Sequence, residues 1–257
     1  MSTQQISYKN ALAEVEAKLI EAAKTAAGTK YFDLQAYIGT RYQVSGLKIP
    51  EIRQLFKQGY SFSHLQETEQ YLIWKYIWNN SKWHDAMTQC ILFCDRYIRH
   101  AEPDYFRKEI IGWLSRIDNW AHSDGLTHYY AALLEIFPKE MYQQLKKWNS
   151  SSNPWERRQS VLSLLDYARF RKKYPTFHNI LQLVTPLLKD ENYFVQKGIG
   201  WCLRETGIVY PAETKQWLRK NATELSSPAF ATATEKIPAA EKEKLKALRK
   251  SARSKKK

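Results

Sequence analysis

The sequence predicts an all-α protein of stacked helix pairs, a HEAT-like helical-repeat solenoid, on three observations. Apolar residues recur at helical spacing through most of the chain. Turn formers are sparse: 9 Gly and 9 Pro in 257 residues, too widely spaced for the hairpins of a β protein. An aromatic residue returns at intervals of 37, 35 and 39 residues, as Trp83, Trp120, Trp155 and Phe194, each close behind a polar residue. A period in that range is the length of one two-helix unit in a stacked array.

Taken in order, Ile6, Ala11, Leu12, Val15, Leu19 and Ile20 place a first helix over 6–26, closed by Gly28. A second covers Tyr31 to Ile38. The stretch Tyr42 to Lys48 is a loop turning at Gly46, and Pro50 opens a short helix from Glu51 to Lys57. Further helices are expected at 67–79, 83–99, 104–117, 124–137, 139–148, 154–170, 176–188, 191–206, 211–220 and 227–235. Asn153-Pro154-Trp155-Glu156 is a start signal, with Asn as N-cap, Pro at the first helical position and Glu two residues later. Ser227-Pro228 repeats the cap-then-Pro order, and Gly207 is a natural stop for the helix before it. Residues 1–238 are expected to form the repeat domain. From about Ala239 the chain lacks a large apolar face, and 239–257 is expected as a basic, flexible tail, a frayed helix or disordered.

The formal net charge is +14. Residues 236–257 contribute +8 of it, so the other 235 residues still carry +6. A basic body points to a polyanion partner, or to solubility alone. In a solenoid, equivalent helices line one surface, so the helix starts are expected to gather along a concave basic groove, where N-termini favour phosphates. The cysteines, Cys90, Cys94 and Cys202, are odd in number and form no CxxC, and the six histidines lack metal-ligand spacing; neither a metal nor another cofactor is expected. No signal core or membrane-length apolar run occurs. The expected setting is the cytoplasm, with nucleoid association if the source is bacterial, and the expected state is a monomer.

Two stretches carry candidate chemistry. In the first, Asp124 follows Trp120 by four residues, which on a helix stacks an indole and a carboxylate on one face. A flat cation fits between such groups. The plainer alternative makes Trp120 core and Asp124 the N-cap of the next helix. In the second, Phe194, Lys197, Trp201 and Arg204 form one helical stripe of alternating aromatics and cations, opposite an apolar stripe of Val195, Ile199, Cys202 and Leu203. Gly198 and Gly200 imply close approach by something. The alternative here is a Lys and an Arg snorkelling at the margin of a core. Arg157 and Arg158 stand in a first helical turn, against the dipole; they suit either a phosphate at that end or pairing with Glu156 or Asp166. No P-loop, GxSxG or HExxH occurs.

From about Tyr37 to about Glu205 these residues resemble the DNA alkylation repair family of HEAT-like-repeat DNA glycosylases, the AlkD type. Tyr37 with Gly46-Leu47-Lys48-Ile49-Pro50-Glu51-Ile52-Arg53 resembles the family's N-terminal segment. Asn119-Trp120 through Asp124 resembles its catalytic segment, and Trp155 to Arg158 its groove-arginine segment. Phe194 to Glu205 is similar to its most specific run. One departure stands out: Asn119 and Ala121 occupy places where catalytic members often have a second Trp and a second Asp. The resemblance implies hydrolysis of the N-glycosidic bond of cationic bases such as N3-methyladenine and N7-methylguanine in duplex DNA, without flipping the base into a pocket. It implies Asp124, Trp120 and Trp201 as catalytic residues, with Tyr37, Arg53, Arg158, Phe194, Lys197 and Arg204 on the DNA. The same scaffold resembles members that bind branched or damaged DNA without excision, which is the alternative reading.

Overall fold

The computed structural model describes residues 7–25, 33–97 and 109–254. Among them there is no strand, only a single isolated bridge between Gln43 and Trp83. The chain divides into two compact units, residues 1–126 and 127–257.

The first unit contains α1 (Tyr8–Thr25), α2 (Leu34–Ile38), α3 (Ile49–Gln58), α4 (Glu67–Asn80) and α5 (His84–Tyr97). Ile6, Tyr31 and the expected stop at Gly28 lie outside the described residues. The loop turns at Gly46, whose φ of 83° is a left-handed value suited to glycine. Helix α1 packs on α3, α4 and α5. Their shared core is aromatic: Tyr60, Phe62 and Phe93 surround Trp74 with ring centroids 5.3–5.9 Å apart. Trp78 stacks on Trp113 at 4.5 Å. Such pairs contribute on the order of 1 kcal/mol beyond the area they bury. Of the expected helix at 104–117, residues 104–108 are outside the described set, 109–113 are helical, and Leu114–Arg116 form a 3-10 turn.

Helix α6 (Trp120–Ile136) begins four residues before the expected start at 124. The reason is Asn119, whose side-chain oxygen accepts the amide of His122 at 2.9 Å and caps the helix there.

The second unit continues with α7 (Pro138–Asn149), α8 (Pro154–Leu162), α9 (Phe177–Val184), α10 (Tyr193–Val209), α11 (Pro211–Asn221), α12 (Ser227–Ala233) and α13 (Ala239–Ser254). Helix α10 is its centre and packs on α8, α11 and α12. Asn153 caps α8 through the Trp155 amide, as the start signal predicts. Three expectations change. The helix expected at 154–170 stops at Leu162, because Asp166 takes a left-handed φ of 51° and the chain re-coils only as a 3-10 turn at Ala168–Phe170. Gly207 does not end its helix; α10 runs to Val209, and Pro211 at the start of α11 makes the break. The cap of α12 is Ser226, not Ser227.

Residues 239–254, expected as a loose tail, form helix α13, which packs on α11. One apolar residue anchors it, Leu245, at 1% exposure. A cation does the rest. Arg249 points inward, donating to the carbonyls of Ala222 and Leu225 and lying 4.5 Å over the Phe230 ring. A hydropathy pattern scores that arginine as surface; its methylenes and its planar head make it part of the core.

Candidate functional site

In the first unit the start of α6 is tied to the segment from Tyr37 to Tyr42. The Trp120 indole donates to the Tyr37 carbonyl at 3.2 Å, and the Tyr37 ring stands edge-on to it at 5.5 Å and 87°. Asp118 accepts from the Thr40 hydroxyl at 2.8 Å and the Arg41 amide at 2.9 Å. The Tyr42 hydroxyl donates to the Arg116 carbonyl at 2.8 Å. Trp120 and Asp124 are both half-buried, one helical turn apart on the same face, while the Tyr37 ring is 58% exposed. With Asn119 as the cap, the N-cap reading of Asp124 falls away. Gly125 makes room for Ile91: a Cβ there would sit 3.2 Å from an Ile91 methyl. Arg53 is exposed on α3.

Asn119, the departure from the family pattern, has a structural task. Fully buried, it donates to Asp118 at 2.9 Å and to Nδ1 of His122 at 3.1 Å. Nδ1 of His122 is therefore an acceptor, and Nε2 carries the proton, directed at the His84 carbonyl 3.0 Å away. Burial, then the neighbouring His84, pushes the His122 pKa well below its ordinary value. The two imidazoles stack at 4.0 Å, and Asp85 joins them to the loop by holding His84 at 3.0 Å and the Ser45 amide at 2.6 Å. This polar cluster was not singled out from sequence. The only trace of it there is a cap residue, Asn119, with a histidine three positions on.

In the second unit the stripe on α10 is formed as predicted. Phe194, Lys197, Trp201 and Arg204 are half-exposed, and Val195, Ile199, Cys202 and Leu203 on the other side are buried. The close approach at the glycines comes from the chain itself. A Cβ on Gly200 would meet the Ala229 carbonyl at 2.6 Å, and one on Gly198 the Arg158 side chain at 3.3 Å. The cations differ in their surroundings. Arg158 is 3% exposed and donates to the Phe194 carbonyl. Arg157 is held by Asp190 through two bonds, not by Glu156 or Asp166. Arg204 bonds to Glu205 and Glu235 and lies 5.2 Å over the Trp201 ring. Lys197 is half-exposed.

Trp201 is fixed from behind by its indole N–H, which donates to the Asp166 carbonyl at 2.8 Å, and by Tyr167 at 4.9 Å. Its π face is thus positioned, and it already accepts a cation. The left-handed Asp166 that holds it costs on the order of 1 kcal/mol in backbone strain. Sequence reading offers Asp166 only as a partner for an arginine, because a helix carried through to 170 leaves no turn there to hold Trp201.

No group of metal-ligating side chains occurs among the described residues. All three cysteines are buried, and burial pushes the Cys202 thiol up to about 12 and the other two well above their ordinary value. Buried in this way, the three thiols pack as small apolar side chains. Among the described residues no helix is long and apolar enough to cross a membrane.

Residues 15–237 match the family described as DNA alkylation repair enzyme. The chain belongs to that family. Among solved structures, a protein from Enterococcus faecalis described as a predicted DNA alkylation repair enzyme has a similar fold, with TM-score 0.66 and 16% identity over 85% of this chain and 96% of that one. AlkD2 from Streptococcus mutans matches at TM-score 0.45 and 17% identity over 91% of this chain and 100% of its own. Another Streptococcus mutans protein matches at 0.48 and 19%, over 90% and 100%. No curated protein matches the chain. For this member of the DNA alkylation repair enzyme family, the substrate class is accordingly DNA and the broad role is enzymatic repair of alkylation damage.

Proposed function

We propose that the protein is a monofunctional DNA glycosylase that releases cationic alkylated purines, N3-methyladenine and N7-methylguanine, from duplex DNA without drawing the base into a pocket. The observation that carries this reading is the pairing of Trp120 with Asp124 on one face of α6, both half-buried, beside an exposed Tyr37. Alkylation leaves the base positively charged, so it is already a good leaving group. The C1′–N9 bond breaks, its electron pair goes to the base and neutralises it, and the sugar is left as an oxocarbenium-like cation. Carboxylates stabilise the same kind of cation in glycoside hydrolysis. Asp124 supplies that negative charge and orients the water whose oxygen bonds to C1′; the water gives up a proton to complete hydrolysis. Trp120 offers an indole face to the sugar, and Tyr37 borders it. Trp201, in the second unit, has its indole held by the Asp166 carbonyl, and its role is to pack on the deoxyribose of the lesion. Lys197 and Arg53 meet phosphates directly, whereas Arg158 and Arg204 act by fixing Phe194 and Trp201.

The test is release of free N7-methylguanine from methylated duplex DNA by the wild-type protein and by Asp124→Asn. Release by the wild type and its loss in the variant is the expected result. No release by the wild type, with DNA binding intact, would favour the non-catalytic binder of branched or damaged DNA.

A further inference from the structure

The turn from Asp166 to Tyr174 belongs to none of the predicted site residues, yet it is unusually well built for a surface connection. Its amides are held by buried or half-buried carboxylates: Ala168 by Glu205 at 3.1 Å, and Lys172 and Lys173 by Glu135 at 2.6 and 3.2 Å. Arg171 turns inward to Asp166 and Glu135. The Tyr174 hydroxyl closes the turn on the carbonyls of Ala168 and Arg171. What this rigid frame presents outward is an aromatic ring. Phe170 is 54% exposed, with Arg169 lying 4.7 Å over it and 5.4 Å over Tyr167. Every exposed charged side chain of the turn is a cation, namely Arg169, Lys172 and Lys173. Tyr167 also touches Trp201, so the turn is continuous with the α10 stripe.

A rigid exposed ring normally costs solvation, and a protein–protein interface centred on it would be poor in lysine, whereas this turn carries Lys172 and Lys173. A ring whose exposed charged neighbours in the turn are all cations fits nucleic acid, where an apolar wedge enters an unstacked base step while cations meet phosphates. We propose that the Asp166–Tyr174 turn is a preformed second DNA-binding element in which Phe170 stacks at an unpaired or unstacked base and Arg169, Lys172 and Lys173 meet the flanking phosphates. The proposal rests on DNA being the substrate, and not on excision.

The experiment measures binding of the full chain to a fully paired duplex and to the same duplex carrying one unpaired base. Phe170→Ala is expected to lose roughly tenfold affinity for the second and little for the first, since base–aromatic stacking matters only where a base is free. Phe170→Trp should keep the preference. Lys172→Ala with Lys173→Ala should flatten the salt dependence on both duplexes by about 0.9 in log–log slope for each phosphate no longer neutralised. Because these side chains are exposed, thermal unfolding should be unchanged and serves as the folding control. Equal binding of Phe170→Ala and wild type to the two duplexes, or an equal loss on both, overturns the wedge. Excision is measured on the same variants: wild type that fails to excise while the Phe170 contrast persists removes the catalytic reading alone.

Discussion

Asp124 is proposed to act on a charge that exists only as the glycosidic bond breaks, so its contribution belongs to the rate and not to binding. Asp124→Asn keeps the shape and removes the charge. Single-turnover excision of N7-methylguanine should fall on the order of 10²-fold or more, the scale of losing one preorganised electrostatic group. Affinity for DNA should hold or rise slightly, because a negative charge has left the surface proposed to face phosphates. Wild-type excision by the variant would remove Asp124 from the mechanism. The i, i+4 relation of Trp120 and Asp124 was legible from spacing alone. The fate of the arginines was not: Arg158 meets the Phe194 carbonyl and Arg204 meets Glu235, partners over thirty residues away that no local pattern connects. His122 offers an independent test of the site's frame. Its pKa in the folded protein lies well below the ordinary 6.5, so the unfolded chain binds the proton first as pH falls. Its contribution to stability is therefore full above 6.5 and is lost below it, at up to about 1.4 kcal/mol per pH unit. The melting temperature should drop between about pH 6.5 and pH 5, above the range where carboxylates titrate. His122→Gln should be less stable at neutral pH and should lose most of that slope; an unchanged slope would assign it to another group.

The α10 helix shows what a sequence pattern can and cannot say about an element. Its two stripes were readable because helical period alone sorts Val195, Ile199 and Cys202 from Phe194, Lys197 and Trp201. That Gly198 and Gly200 mark close approach was also readable, but what approaches was not: it is α12 and Arg158. Gly200→Ala gains helix propensity of about 1 kcal/mol yet places a carbon against the Ala229 carbonyl, and overpacking of that kind costs about 1–3 kcal/mol. The clash is with backbone, which yields poorly, so the variant should melt lower than wild type. Gly112→Ala is the matched control. Gly112 is helical and exposed, with open space where the Cβ would go, so the same substitution should stabilise by up to about 1 kcal/mol. If both variants shift in the same direction, packing at Gly200 is not the deciding term. The helix that ended early at Leu162 failed for the opposite reason. Nothing in Ser163-Leu164-Leu165-Asp166 breaks the apolar pattern, and the left-handed Asp166 is held by Arg171 of the same turn and by His128 and Trp201, which lie elsewhere in the chain.

At the scale of the molecule, the recurring aromatics were enough to identify a helical repeat, because Trp120, Trp155 and Phe194 do stand in the first turns of α6, α8 and α10. The division at residue 126, inside α6, leaves no composition shift to read. The division of charge between body and tail was readable from sequence, but the packing of α13 changes how the two must be separated by experiment. Deleting residues 239–257 would remove the buried Leu245 and the guanidinium that the Ala222 and Leu225 carbonyls share. The weakened binding that followed would confound unfolding with missing charge. Neutralising the outward lysines avoids this: Lys244→Gln, Lys246→Gln and Lys250→Gln leave Leu245 and Arg249 in place. If the body of the protein holds DNA through four or more phosphates, log affinity should fall with log salt at a slope of about −3.6 or steeper. The triple variant should keep that slope, with its affinity lowered by at most the share that α13 contributes. A slope that collapses toward zero in a variant with unchanged melting would move DNA binding onto α13 and away from Arg53, Lys197 and the Asp166–Tyr174 turn.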